Sequence, residues 1–157
     1  FYESEAYLKL LADKIKEYWS KKVYDKLIIS YHGIPESYVK KGDPYQAQCE
    51  ETTAKLQAML PDIEILHTYQ SKFGPAKWLE PATDETIKHL PKQGCKKLLV
   101  ISPSFVADCL ETLYELELEN RTYFEQAGGE VYDVVPCLND DPEFVAFLKD
   151  LSKSDSK

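Results

Sequence analysis

The chain has 157 residues, 43% of them apolar and 29% charged, which suits one α/β domain and is too little for two ordinary ones. A net charge of −8 argues against a nucleic-acid partner, because phosphate binding needs clustered Lys and Arg. No apolar run approaches the roughly 20 residues that span a bilayer, and no signal peptide opens the sequence, so we expect a cytoplasmic protein without a transmembrane segment.

Helical and strand patterns alternate along the chain. The predicted strands are at 26–30, 63–68, 97–101 and 131–135. A helix at 4–18 precedes the first strand. After the four strands, in order, the predicted helices run from 43 to about 60, from 83 or 84 to about 94, from about 108 to 127 (the long helix) and from 141 onward. This alternation predicts a Rossmann-like three-layer α/β domain with a four-stranded parallel sheet. We expect one domain over 1–151 and a disordered tail at 152–157.

Polar segments follow the first three predicted strands, at 30–33, 69–72 and 102–104. In open parallel sheets, ligands bind beyond the carboxyl ends of the strands, so these segments predict the position of a site. No GxGxxG or Walker pattern follows any strand, and a nucleotide-phosphate site is therefore poorly supported.

His32 follows the first predicted strand, and Gly33 and Pro35 after it favour a turn. An imidazole there can accept a proton near neutral pH or bind a metal. The alternative is a structural histidine bonded to a turn carbonyl, and spacing alone leaves both interpretations open. His67, within a strand, and His89, on a helix face, are predicted to be structural.

The long helix carries Glu111, Glu115 and Glu119 at i, i+4 and i+8. Like charges at this spacing repel by about 0.2–0.5 kcal/mol per pair, so the row favours a role with cations or protons. A solvated helix face is the ordinary alternative. Glu111 also fits a capping box with Asp108.

The glutamate row would drift by about 40° per step in a regular α-helix. Glu117, in addition, falls among apolar positions on the helical wheel. A π-bulge would relieve both features. We therefore expect an i→i+5 hydrogen bond between Leu110 and Leu118.

Four segments of the sequence form a recognisable set: Ser30-Tyr-His-Gly-Ile-Pro35 with Lys41-Gly-Asp-Pro-Tyr45, Gln70-Ser-Lys-Phe-Gly-Pro75 with Trp78-Leu79 and Pro81-Ala-Thr-Asp-Glu85, Phe105-Val-Ala-Asp-Cys-Leu-Glu-Thr-Leu-Tyr-Glu115, and Leu138-Asn139 before Pro142. Together they resemble the signatures of ferrochelatases, in the family's order and spacing. The resemblance covers nearly the whole chain.

The resemblance implies a lyase that inserts ferrous iron into protoporphyrin IX to form protohaem, the last step of haem biosynthesis. The family fold has two Rossmann-like halves, and this chain resembles the second. The amino-terminal half would then be missing, and we expect the isolated fragment to be inactive. The implied roles are catalysis by His32 and Glu111, metal binding by His32, Glu111, Glu115 and Glu119, and substrate binding by Trp78 and Phe105.

The Gln-Ser-Lys and Trp-Leu version of the second signature looks like the protoporphyrin-using branch. This branch is the Gram-negative bacterial type, and Cys109, which stands where animal members carry histidine, also favours the bacterial pattern. Cys137 is not followed by the cysteines that hold a cluster in some members, so we predict no [2Fe–2S] cluster. No tightly bound cofactor is expected, because iron enters as a substrate.

Two other classes of protein agree less well with the sequence. A cobalt-inserting chelatase acting on a polar macrocycle would be expected to carry further pocket histidines, which the chain lacks. A receiver-like or flavodoxin-like binding module would need an acidic pair after the first strand with a late lysine, or a phosphate loop. Neither pattern is present.

Overall fold

A computed structural model describes residues 5–70, 76–103 and 118–135. Its elements are α1 (Glu5–Trp19), β1 (Lys26–His32), α2 (Glu36–Lys40), α3 (Tyr45–Met59), β2 (Ile65–Gln70), α4 (Thr83–His89) with a 3₁₀ turn at Leu90–Gln93, β3 (Lys97–Ile101), α5 (Arg121–Gln126) and β4 (Val131–Val134).

The four strands of the described residues form one parallel sheet in the order β2-β1-β3-β4. β1 lies at the centre, with Leu27 opposite Ile65 in β2 and Lys26 opposite Leu98 in β3. The sequence prediction of a four-stranded parallel sheet is confirmed. Because β1 has a neighbour on each side, the polar residues at its carboxyl end lie at the middle of the sheet edge.

Helices cover both faces of the sheet. Alternate residues of β1 point to opposite faces, as the two-residue period of a strand requires. Leu27 and Ile29 pack with α1 and α3, whereas Ile28 packs with α4 and α5. The described part of the chain therefore has two buried clusters, one on each face, which confirms the three-layer arrangement.

Strand bounds differ from the prediction at the carboxyl edge. β1 continues through Tyr31 and His32, two residues beyond its predicted end, because these residues pair with Tyr69 and Gln70. β2 begins and ends two residues later than predicted. His32 is thus the last residue of a strand, whereas the sequence placed it just after one.

The segment after His32 contains one element that the sequence analysis missed. The helix α2 has five residues and none of them is buried, so it has no apolar periodicity to detect. The predicted helix start at Asp43 is nearly right. Asp43 Oδ1 accepts the Tyr45 N–H at 2.8 Å, and the helix α3 begins at Tyr45, after Pro44.

The predicted long helix is described from Leu118 onward. Residues 118–120 are π-helical, α5 follows, and Gly128 lies beyond its end with φ +108°. The i→i+5 hydrogen bond expected between Leu110 and Leu118 involves residues 110–117, which lie outside the described residues. The predicted helix from 141 and the tail at 152–157 also lie outside them. None of the described helices combines the length and the hydrophobicity that a membrane-spanning segment requires.

Candidate functional site

The pairing of β1 with β2 continues to the last residue of both strands. His32 lies opposite Gln70, and the Gly33 N–H donates to the Gln70 carbonyl oxygen at 2.7 Å. On the other side of β1, Ser102 Oγ donates to the Ser30 carbonyl oxygen at 2.7 Å. The three polar segments predicted from sequence therefore meet at one sheet edge, through these described residues.

His32 is half-buried, and hydrogen bonds fix both its ring and its backbone. Its Nδ1 lies 2.8 Å from the Gly33 carbonyl oxygen, and its own carbonyl oxygen accepts the Tyr45 hydroxyl at 2.7 Å. A carbonyl oxygen can only accept, so in the neutral ring Nδ1 carries the proton and Nε2 carries the lone pair. The contact expected for a structural histidine thus also prepares Nε2 to take a proton or bind a metal.

Residues 77–79 run beside the turn that follows His32. Pro35 pairs with Trp78 in an antiparallel bridge, and the Leu79 N–H donates to the Ile34 carbonyl oxygen at 3.1 Å. A Cβ on Gly33 would lie 2.8 Å from the Gln70 carbonyl oxygen and 3.4 Å from Cε3 of Trp78. Gly33 therefore permits the close approach that sets the half-buried Trp78 ring next to the His32 turn.

Of the predicted acidic row, only Glu119 lies among the described residues. It is exposed and belongs to the π-helical turn at 118–120. Glu111, Glu115 and the predicted substrate-binding residue Phe105 lie outside the described residues. Within the described part of the chain, no group of three or more His, Cys, Asp or Glu side chains is placed to hold a metal ion.

Three buried hydroxyl groups lie next to the end of β1 that carries His32, on the face of the sheet covered by α4. This hydroxyl cluster consists of Ser30, Thr68 and Thr83, each fully buried. Thr83 Oγ1 lies 2.7 Å from Ser30 Oγ and 2.8 Å from Thr68 Oγ1, and Ser30 Oγ also bonds to the side chain of Gln70. The sequence analysis missed this cluster, and the polar type of these residues at strand and helix ends was its only signal.

His67 lies on the opposite face of β2 and is held at both ring nitrogens. Nδ1 is 2.6 Å from Thr53 Oγ1 and Nε2 is 2.8 Å from the Tyr69 hydroxyl. The ring also packs against Tyr31, with the centroids 4.9 Å apart. Burial lowers the pKa of His67 below its ordinary value of 6.5. His89, in contrast, is exposed on α4, with Nε2 3.9 Å from a carboxylate oxygen of Glu85.

The lowered pKa of His67 predicts a loss of stability in mild acid. The unfolded chain binds a proton at His67 as pH falls through about 6.5, before the folded chain does, so the free energy of unfolding decreases as pH falls from there towards the folded-state pKa. His67→Gln keeps a donor and an acceptor but cannot titrate. Denaturant melts at several pH values should therefore show a weaker loss of stability between pH 7 and 5 in His67→Gln than in the parent. An unchanged pH dependence in His67→Gln would contradict the prediction.

The described residues define an α/β domain with a parallel sheet, and the candidate site lies at the carboxyl ends of its strands. A solved structure with a similar fold is a putative cobalamin (vitamin B12) biosynthesis CbiX protein from Marinobacter aquaeolei VT8, with a TM-score of 0.52. The two chains are 15% identical, and the likeness covers 83% of this chain and 95% of that one. At this identity the comparison supports the fold alone.

The family model described as ferrochelatase matches residues 1–156, and the chain belongs to the ferrochelatase family. It is 55% identical over 154 residues to the coproporphyrin III ferrochelatase of Lactococcus lactis subsp. cremoris (strain SK11), covering 96% of this chain and 48% of the relative. It is 45% identical over 152 residues to the ferrochelatase of Yersinia pestis (strain Pestoides F), covering 95% and 48%. The chain thus spans about half the length of the curated relatives it matches, and the family resemblance seen in the sequence is confirmed.

Proposed function

We propose that the chain is the carboxyl-terminal half of a ferrochelatase and takes part in inserting ferrous iron into a porphyrin. The match to the family model over residues 1–156 is the observation that carries this proposal. The hydrogen-bonded His32 at the carboxyl edge of the sheet supports it. The half-length coverage of the relatives supports a second half of the same enzyme as the partner.

Iron insertion displaces two pyrrole protons from the free porphyrin, so the site must supply a base. In the proposed mechanism, Nε2 of His32 accepts one of these protons, because the bond from Nδ1 to Gly33 leaves the ring lone pair on Nε2. Glu111 is proposed to act as the carboxylate partner across the cleft and to take up the second proton. As each iron–nitrogen bond forms, the N–H bond of that nitrogen breaks, and the two protons released to His32 and Glu111 carry away the +2 charge, so that the metallated macrocycle is neutral.

The acidic row is proposed as the path of the metal. Glu119 is exposed, which fits the entrance of such a path, and Glu115 and Glu111 precede it in the sequence by four and eight residues. Single carboxylates bind a divalent ion weakly, and a path must release what it binds. His32 and Glu111 would hold the iron only transiently for the same reason.

Trp78 and Phe105 are proposed to contact the macrocycle. The half-buried Trp78 ring lies against Gly33, directly beside His32, so a flat apolar ligand bound over it would be close to the proposed base. Aromatic rings provide the large apolar contact that a porphyrin face requires.

Iron enters this proposal as a substrate and no resident cofactor is assigned. The predicted absence of a [2Fe–2S] cluster stays a prediction, since Cys137 lies outside the described residues. We also propose a cytoplasmic location, which the free, buried thiols of Cys49 and Cys95 support.

Two porphyrins are candidates for the substrate. The Gln-Ser-Lys and Trp-Leu signature favours protoporphyrin IX, which would make protohaem in the last step of haem biosynthesis. Coproporphyrin III is the second candidate, because relatives that are about half identical to the chain are named for it. Coproporphyrin III carries additional propionates in place of the vinyl groups of protoporphyrin IX. A chain with a net charge of −8 has no excess of Lys and Arg to pair with these extra carboxylates. This charge balance supports protoporphyrin IX as the substrate.

The substrate proposal predicts the outcome of a direct competition. The complete enzyme should receive both free porphyrins at equal concentration with ferrous iron under anaerobic conditions, and the two metallated products should be separated by chromatography. We expect about tenfold or more protohaem than iron coproporphyrin. A difference of this size can arise from the two side groups that distinguish the porphyrins. Predominant iron coproporphyrin would transfer the assignment to the second candidate.

The half-enzyme proposal predicts that this chain alone folds but does not insert iron at a useful rate. The cleft needs two walls to position the macrocycle, and loss of positioning costs on the order of 100-fold or more. Circular dichroism should show a cooperative melt for the chain alone. Haem formation by the chain should recover when the other half is supplied. A rate for the chain alone that approaches that of the complete enzyme would contradict the proposal.

The proposed acid–base pair predicts matched losses at His32 and Glu111. In the complete enzyme, His32→Ala and Glu111→Gln should each lower iron insertion by roughly 100-fold or more, because removal of a positioned base has effects of this size. His89→Ala, an exposed histidine, is the control and should retain activity. Near-normal turnover in Glu111→Gln, which can still cap a helix, would return Glu111 to the structural role that its capping-box spacing allows.

A further inference from the structure

Gln70 contacts β1 on both sides of His32. Its carbonyl oxygen accepts the Gly33 N–H at 2.7 Å, and its side-chain amide bonds to Ser30 Oγ. Ser30 and His32 are two residues apart on the same face of β1, and Gln70 is opposite His32 in the register. Gln70 is only 3% exposed. One buried residue therefore fixes the strand before His32 and the turn after it.

Each hydroxyl of the cluster has one proton to donate, and this limit sets the direction of each hydrogen bond. Thr68 Oγ1 donates to the Ile29 carbonyl oxygen at 3.1 Å, which uses its one proton. Thr83 must then donate to Thr68, since Thr68 can only accept from it. By the same reasoning Ser30 must donate to Thr83.

This direction leaves Ser30 Oγ with no proton for Gln70. In the structure the carbonyl oxygen Oε1 of the Gln70 amide faces Ser30 Oγ, so with this direction two acceptors meet. In that orientation the amide nitrogen Nε2 is also buried without a hydrogen-bond partner among the described residues. The two ends of an amide have nearly the same shape, so its orientation follows from the hydrogen-bond network. Rotating the amide by 180° places Nε2 against Ser30 Oγ as a donor and leaves the amide oxygen without a partner. A buried unpaired oxygen is better tolerated than a buried unpaired N–H group.

We propose that Gln70 is a positioning residue for His32, with its amide Nε2 donating to Ser30 Oγ at the head of the one-way chain Gln70→Ser30→Thr83→Thr68→Ile29. The chain ties the end of β1 to β2 and to the first residue of α4. It holds the backbone on both sides of His32, so that Nδ1 meets the Gly33 carbonyl oxygen and Nε2 keeps the lone pair. The functional part of this proposal rests on the role proposed for His32 as a base.

The amide orientation can be tested on this chain without any assay of iron insertion. In isotope-labelled protein, NMR should show a Gln70 side-chain proton that exchanges slowly with water and gives strong cross-relaxation to the β-protons of Ser30. The hydroxyl protons of Ser30 and Thr83 should also exchange slowly. A Gln70 amide whose two protons exchange freely, or show no contact with Ser30, would overturn the proposed direction.

The positioning role is tested with Gln70→Met and a matched control. Methionine has a similar length but neither donates nor accepts strongly, and its backbone keeps the bond to Gly33. Gln57→Met is the control, because Gln57 also donates from a half-buried amide, to the Leu60 and Ile63 carbonyl oxygens at 3.0 and 2.7 Å, far from the strand ends. Both variants lose hydrogen bonds, so any general loss of stability is common to them.

Gln70→Met alone should change His32. The ¹⁵N shifts of the neutral ring in this chain should move from the Nδ1–H tautomer towards a mixture, while Gln57→Met leaves them unchanged. In the complete enzyme, kcat for iron insertion should fall by roughly 10- to 100-fold in Gln70→Met with little change in the KM for porphyrin, as expected for a misplaced base. An unchanged tautomer and unchanged kcat in folded Gln70→Met would overturn the positioning role. A shifted tautomer with no iron insertion even in the parent enzyme would instead reject the proposed function and leave the positioning of His32 supported.

Discussion

The parallel pairing of β1 with β2 up to their last residues is the constraint on which the site depends. A parallel ladder fixes which residues lie opposite each other, and a slip of one residue would turn every side chain to the other face. Here the register sets His32 beside Gln70 and Ser30 beside Thr68. The further bond from Gly33 to the Gln70 carbonyl oxygen extends the ladder into the turn, where only a residue without a side chain fits. Disrupting this register would therefore remove the candidate base and its support together.

His67 and Thr68 are neighbours in β2, but they lie on opposite faces of the sheet and have different polar partners. On the α3 face, His67 bonds to Thr53 and Tyr69, and its lowered pKa favours a neutral ring that adds to the buried cluster of that face. On the α4 face, Thr68 belongs to the hydroxyl cluster behind His32. Two histidines in adjacent strands thus have separate environments, because strand alternation places them on opposite faces. Local partners rather than residue type distinguish the structural histidine from the candidate base.

The layers and the order of elements followed from the sequence because they depend on short-range patterns. The buried run at 97–101 and the Asp43-Pro44 helix start are read directly from neighbouring residues. The end of β1 was missed because Tyr31 and His32 belong to the strand only through pairing with β2, which is a long-range contact. The hydroxyl cluster was missed for the same reason. Ser30, Thr68 and Thr83 are far apart in the chain, and nothing local marks them as partners. His32 and Trp78 were predicted as site residues from the family resemblance, because spacing alone left both a functional and a structural role open for His32.

A neutral support would suit the proposed function, in which the site must release its metal. A buried carboxylate behind His32 could also orient an imidazole, but it would strengthen the ring as a ligand and retain a ferrous ion. It would also require a paired cation, because an isolated buried charge costs several kcal/mol. Hydroxyls and one amide fix the same geometry without adding charge, provided that each proton has one acceptor. The proposed metal ligands Glu111, Glu115 and Glu119 belong to a different segment of the sequence. In the proposed site, neutral hydrogen bonds at the strand ends would therefore supply the position of His32, and the carboxylates of the acidic row would attract the metal.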